Sequence, residues 1–212
     1  MFQDCAIRPH HDFQWRTSNF AGGQPGEIGG ILWRIESIHP ERASFYGVPI
    51  GTLSLDEELR ASGKLCLRGA AADSAILVGW FNSLTAIGAP PANFLGILIE
   101  GPSRVGHYVR PLCRNSEEVL ARLDKGPILR PDRRTHEWVI RYLPHADNER
   151  GRMTVSLDGS SVSLPLPEGM RNGNATFDRF GFLSYQRGGH FVNIRFDDVS
   201  YTANAAAADR CE

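Results

Sequence analysis

The run Phe177–Thr202, FDRFGFLSYQRGGHFVNIRFDDVSYT, decides the fold. Phe180, Phe182 and Ser184 alternate with Gly181, Leu183 and Tyr185. After the break, Phe191, Asn193 and Arg195 alternate with Val192, Ile194 and Phe196. Period-two alternation rich in aromatic and β-branched residues marks strands, and Arg187-Gly188-Gly189 between them predicts a tight hairpin turn.

The same grammar extends outward. Ser161–Leu166, Gly151–Asp158 with the turn Asp158-Gly159, and Thr135–Leu143 read as strands. So do Val105–Cys113, Ala75–Asn82, Gly63–Arg68, Gly51–Leu55, Ile31–Glu36 and Asp12–Asn19. Asn93–Glu100, NFLGILIE, is apolar almost throughout, as in a strand covered on both faces. Asp56–Ala61 is a candidate helical turn. Asn115–Lys125 is the single helix predicted: Asn115 or Ser116 caps it, Glu117 and Glu118 sit in its first turn, Val119, Leu120 and Leu123 form a stripe, and Gly126 stops it. About a dozen strands with turns at short intervals predict an all-β, two-sheet antiparallel sandwich with one short helix. No linker or internal repeat divides residues 1–212, so one domain is expected, with its core over about residues 12–203 and its first and last strands adjacent.

Composition narrows the function classes. A net charge of −1 supplies no field for nucleic acid or an anionic membrane. No run of about 18 apolar residues occurs, so no membrane insertion is expected. The first residues, MFQDCAIRPHHDF, hold no apolar core of a signal peptide, so a soluble chain is expected and its compartment stays open. Cysteines stand at 5, 66, 113 and 211 without a CxxC; Cys5 and Cys211 pairing across the termini, and four free thiols, are both open readings. The Gly-rich stretch Ala21–Gly30 has no GxxxxGK[ST] and leads into a strand, so it reads as a connector. The seven histidines lack the spacing of a zinc site.

The order HEWVIRYLP, then GRMTVSLDG, then FDRFGFLSYQRGGHFVNIRFDDVSYT resembles the concanavalin A-like lectin/glucanase superfamily, including its laminin-G-like jelly-roll domains. The resemblance implies two large curved sheets, one face of which often binds sugar. It also implies a late Asp beside a structural calcium, which here would be Asp198; no other cofactor is expected. Catalytic signatures of the superfamily are missing. There is no Glu-x-Asp-x-x-Glu run and no Gln-x-His strand, and Trp33–Ser37 offers only Arg34 and Glu36 of the lyase Arg-x-Glu-x-Arg pattern.

Charge inside strands marks the candidate ligand-binding residues: Arg34, Glu36, Trp80, Asn82, Glu100, Arg104, His107, Tyr108 and Arg110. Trp80 and Asn82 supply a stacking ring and an amide, which a sugar pocket needs, although core packing is the more direct reading of Trp80. No residue is assigned a catalytic role; in an enzyme, Glu36 and Glu100 would be the carboxylate pair. Arg34, Glu36, Trp80, Asn82, Glu100 and His107 are expected to converge on the concave side. Three functions follow: a non-catalytic carbohydrate-binding, lectin-like module for an oligo- or polysaccharide; a polysaccharide-active hydrolase or lyase on the same face; and a structural or protein-interaction sandwich.

Overall fold

A computed structural model describes residues 13–17, 28–35, 45–71, 74–86, 90–101, 105–184 and 191–204, with side chains described from residue 45 onward. Its strands are β1 (Phe13–Thr17), β2 (Ile28–Ile35), β3 (Phe45–Ser54), β4 (Leu59–Ala70), β5 (Ala75–Phe81), β6 (Phe94–Glu100), β7 (His107–Arg114), β8 (Leu120–Arg122), β9 (Ile128–Leu129), β10 (His136–Leu143), β11 (Arg152–Leu157), β12 (Ser160–Pro165), β13 (Thr176–Ser184) and β14 (Val192–Tyr201). They form two antiparallel sheets. The first runs β1-β2-β14-β4-β10-β11-β12; the second runs β3-β13-β5-β6-β7-β8, with β9 also paired to β7. The all-β, two-sheet jelly-roll architecture expected from the alternation is the one the chain adopts.

Between the sheets lies a core built by alternate residues. The second sheet contributes Ile76, Val78 and Trp80 from β5, Leu95, Ile97 and Ile99 from β6, and Phe180 and Phe182 from β13. The first sheet answers with Leu65, Leu67, Trp138, Ile140, Ile194 and Phe196. Full burial of each large apolar side chain contributes roughly 1.5–3 kcal/mol, which makes the period-two pattern the dominant instruction for the fold.

The closing run departs from the expected hairpin. Strands β13 and β14 do not pair: β13 lies between β3 and β5, and β14 between β2 and β4 in the opposite sheet. Phe182 on β13 meets Phe196 on β14 across the core, ring centroids 4.2 Å apart. Both strands carry an inward aromatic row, and two such rows fill a sandwich when they face each other, whereas a hairpin would place them on the same wall. The turn Arg187-Gly188-Gly189 lies outside the described residues. The first strand is also not adjacent to the last; β1 is an edge strand and β2 stands between it and β14.

The stretch Asn115–Lys125, expected as a helix, is instead the turn after β7 followed by β8 (Leu120–Arg122). The buried Asn115 side chain accepts from the Val119 backbone N–H at 2.9 Å and donates to Met170 O at 3.1 Å. A side chain that satisfies local backbone in this way competes with a helix. Two short helical turns occur among the described residues: the 3-10 turn Ser83–Thr85, and α1 (Ala146–Glu149), where Asp147, Asn148 and Glu149 all have φ near +55 to +65°. Asp56–Ala61 is not helical either: Ser54 Oγ and Glu57 close a short turn, and β4 begins at Leu59.

Candidate functional site

Three of the sequence-derived candidates meet on the outward face of the second sheet. On β7, Val109 and Cys113 face the core between the sheets, so Tyr108, Arg110, Leu112 and Arg114 lie on the other face, where Leu112 is itself buried in a second apolar cluster with Leu77, Phe94 and Leu98. The register places Ala75, Glu100, Tyr108 and Ile128 side by side on four adjacent strands. Arg110 is the diagonal neighbour of Glu100, because its own register partner is Leu98. The Arg110 guanidinium forms an ion pair with the Glu100 carboxylate and donates from Nη1 to Asp124 O at 3.1 Å. Arg110 is nearly buried, while the Glu100 side chain keeps 25% of its surface open. Tyr108 is half-buried beside it, and the Ile128 side is exposed.

The corner is therefore an ion-paired carboxylate, an aromatic ring and a small neighbour, Ala75, in one row. An ion-paired carboxylate accepts hydrogen bonds from hydroxyls, and the ring offers an apolar platform. Further along the same face, Arg114 pairs with Glu118 at 3.2 Å and Arg179 with Asp178 at 3.2 Å.

The other candidates do not join them. Trp80 points into the core, fully buried, and its Nε1–H donates to Thr202 O at 3.0 Å. Its parity on β5 matches Ile76 and Val78, so the ring that was weighed as a sugar platform is a core anchor. Asn82 serves the turn that follows β5: its Oδ1 accepts from Leu84 N at 3.0 Å and its Nδ2 donates to Thr176. Arg34 sits on β2 in register with Asn193, in the first sheet, so its strand is not part of the second-sheet face. Glu36 and Arg104 lie outside the described residues. The expected convergence of Arg34, Glu36, Trp80, Asn82, Glu100 and His107 is thus corrected: of the four with described side chains, Trp80 and His107 face the core, Asn82 serves a turn, and Glu100 stands instead beside Tyr108 and Arg110.

His107 also falls on the other side of its strand. It is 4% exposed, and its Nε2 lies 3.0 Å from Ser74 Oγ. Ser74 Oγ–H donates to Ala71 O at 2.9 Å, so the imidazole must be the donor to the serine oxygen. A serine whose proton is already committed to a carbonyl, and which receives a hydrogen bond from histidine, is not an activated nucleophile. Burial pushes the His107 imidazole below the ordinary histidine range. Sequence reasoning did not single out Ser74: nothing in a separation of 33 residues announces the pairing.

Asp198, the candidate calcium ligand, lies at an irregularity in β14 with φ +49°. Its Oδ2 is 2.7 Å from the Lys64 ammonium, and its backbone N–H donates to Asp197 Oδ1. Calcium asks for several convergent oxygens, and here an ammonium already holds the outward carboxylate, so this donor set does not fit the ion. Cys66 and Cys113 are free and buried; burial raises both thiols, Cys113 to about 12. Cys5 and Cys211 lie outside the described residues. No helix among the described residues is long and apolar enough to cross a membrane.

No protein-family model and no curated protein matches the chain. Solved structures to which it is similar include the carbohydrate recognition domain of Emp47p, at 10% identity and a TM-score of 0.48, over 92% of this chain and 95% of that one. They also include an alginate lyase of Pseudomonas aeruginosa, at 14% identity and a TM-score of 0.47, over 82% and 83%. Alginate lyase AlgAT5 of polysaccharide lyase family 7 matches at 10% identity and a TM-score of 0.49, over 93% and 85%.

Proposed function

We propose that this protein is a carbohydrate-binding module whose ligand docks at one corner of the second sheet's outer face, where Glu100 and Tyr108 stay partly open beside Arg110 and past the buried apolar cluster that fills the rest of that face. The observation that carries the reading is the row itself: a partly open carboxylate, fixed by Arg110, directly opposite an aromatic ring. Vicinal hydroxyls of a sugar donate to such a carboxylate while the C–H face of the ring lies against Tyr108. Arg110 holds Glu100 in place through its second bond to Asp124 O, so the acceptor is oriented before a ligand arrives.

The proposal is binding without turnover. A carboxylate committed to a guanidinium is suited to accepting hydroxyls and poorly suited to storing the proton that a glycosidase acid must deliver. A lyase built from the candidates would combine Arg34 with His107 and Tyr108, yet adjacent residues of a strand face opposite sides, and His107 faces the core.

A glycan array followed by calorimetry tests this. The wild-type chain is expected to bind at least one oligosaccharide. Tyr108→Ala should weaken that binding by roughly 1–3 kcal/mol, the usual cost of removing an interface aromatic, and Glu100→Gln should weaken it with little change in thermal midpoint. Absence of any saccharide binding, or affinity unchanged in both variants, would overturn the site. Release of reducing ends or unsaturated products, abolished by Glu100→Gln, would replace the binding module with an enzyme.

A further inference from the structure

The turn that leads into β13 carries Asn174-Ala175-Thr176, an N-x-T tripeptide with no proline at its centre. Chance supplies such tripeptides often, and most use is decided by where they stand in the fold. Asn174 and Thr176 are both exposed, and Ala175 between them is buried, so the two polar side chains project while the backbone stays anchored. Asn174 adopts φ +47°, the left-handed conformation that asparagine tolerates in turns. Thr176 Oγ1 accepts from Asn82 Nδ2 at 3.2 Å, which leaves its own proton free to donate.

We infer that Asn174 is an acceptor for an N-linked glycan. The donor is a lipid-pyrophosphate-linked oligosaccharide presented by a membrane transferase. The bond from the sugar's anomeric carbon to the phosphate oxygen breaks, a new bond joins that carbon to Asn174 Nδ2, one amide proton passes to base, and the lipid pyrophosphate departs. The free Thr176 hydroxyl is the group at the second position after the asparagine that this recognition requires.

The acceptor stands far from the proposed sugar corner. Thr176 enters the sheet at the end where β5 closes with Phe81, whereas Glu100 pairs with Ala75 at the other end of β5, about 20 Å along the strand. A glycan on Asn174 leaves Glu100 and Tyr108 accessible, so this inference stands or falls separately from the proposed function.

The test is expression of the full chain behind a cleavable secretion leader in a eukaryotic host, with intact-mass measurement of both the lumenal and the secreted protein. The expected result is a mass increase of one glycan, removed by peptide N-glycosidase with Asn174 converted to Asp. The increase should vanish in Asn174→Gln and in Thr176→Ala, and persist in Thr176→Ser, which retains the hydroxyl, and in Asn172→Gln, which alters the turn outside the tripeptide. A wild-type chain carrying no glycan in either fraction, or a glycan that survives Asn174→Gln, would overturn the assignment.

Discussion

At His107 the pleat of a strand separates two residues that are neighbours in sequence. Tyr108 faces outward beside Glu100, and His107 faces inward against Ser74. The buried imidazole is held neutral, since desolvation disfavours its charged form. Its proton affinity is lower in the folded chain than in the unfolded one. The associated stability is therefore fully present above the ordinary histidine value of 6.5 and is lost as pH falls below it, because the unfolded chain then takes up a proton that the folded chain resists. The thermal midpoint should drop on acidification from about pH 7 to about pH 5, and His107→Gln should flatten that dependence. An unchanged pH profile in the variant would show that other groups govern the acid response. Trp80 makes the complementary point. An indole offers a large apolar body and a single N–H, and burial is complete here because Thr202 O takes that N–H.

At the scale of elements, four glycines line up across the second sheet. Gly47 on β3, Gly181 on β13, Gly79 on β5 and Gly96 on β6 are successive register partners. A Cβ on Gly96 would stand 2.8 Å from the Gly79 Cα and 2.8 Å from the Phe94 ring, and one on Gly47 would stand 2.6 Å from the Phe81 ring. The space that side chains would occupy is filled by the rings of Phe94 and Phe81, both fully buried, so the lane belongs to a second apolar cluster with Leu77, Leu98, Leu112 and Leu183. Gly96→Ala should cost at least about 1–3 kcal/mol of stability through overpacking. Chemical denaturation measures this; a neutral variant would mean that the neighbouring strands yield more readily than their spacing implies. The β7–β8 turn works by a different device. Asn115 bonds Val119 N and Met170 O, so one side chain both closes the hairpin and ties it to the segment before β13.

For the molecule as a whole, the decisive feature is that the chain leaves one sheet after β13 and enters the other at β14. Phe182 and Phe196 then meet across the core, and Tyr201 stacks on Phe180 with centroids 4.5 Å apart. Beyond β14 the backbone continues the stitching: Thr202 N–H donates to Arg60 O in the first sheet, and Asn204 N–H donates to Ile50 O on the edge strand of the second. A double-mutant cycle on Phe182→Leu and Phe196→Leu should return a coupling of about 0.5–1.5 kcal/mol beyond the separate burial losses, as for a contacting aromatic pair. Additive effects would indicate that the two rings are not in contact.

The strands and the class of fold were legible in the chain because period two is a local property: side chains on alternating positions must be apolar if one face is buried, and Phe180, Phe182, Ile194 and Phe196 announce it. The unbroken apolar run of Asn93–Glu100 likewise signalled a strand covered on both faces, and its two rows enter different clusters. Alternation does not state which sheet a strand joins. Gly188-Gly189 between two matched runs carries the same signal whether the strands pair or face each other, and only filling the core with both aromatic rows decided it. The helical spacing of Val119, Leu120 and Leu123 was overruled by Asn115, whose partners lie as far away as Met170. The site followed the same division. Tyr108 and Arg110 share a face by parity, whereas Glu100 joined them only through the pairing of β6 with β7. Trp80 and His107 were separated from them by the inward direction of their own strand faces, a sign that period two leaves undetermined until the opposite sheet supplies a core.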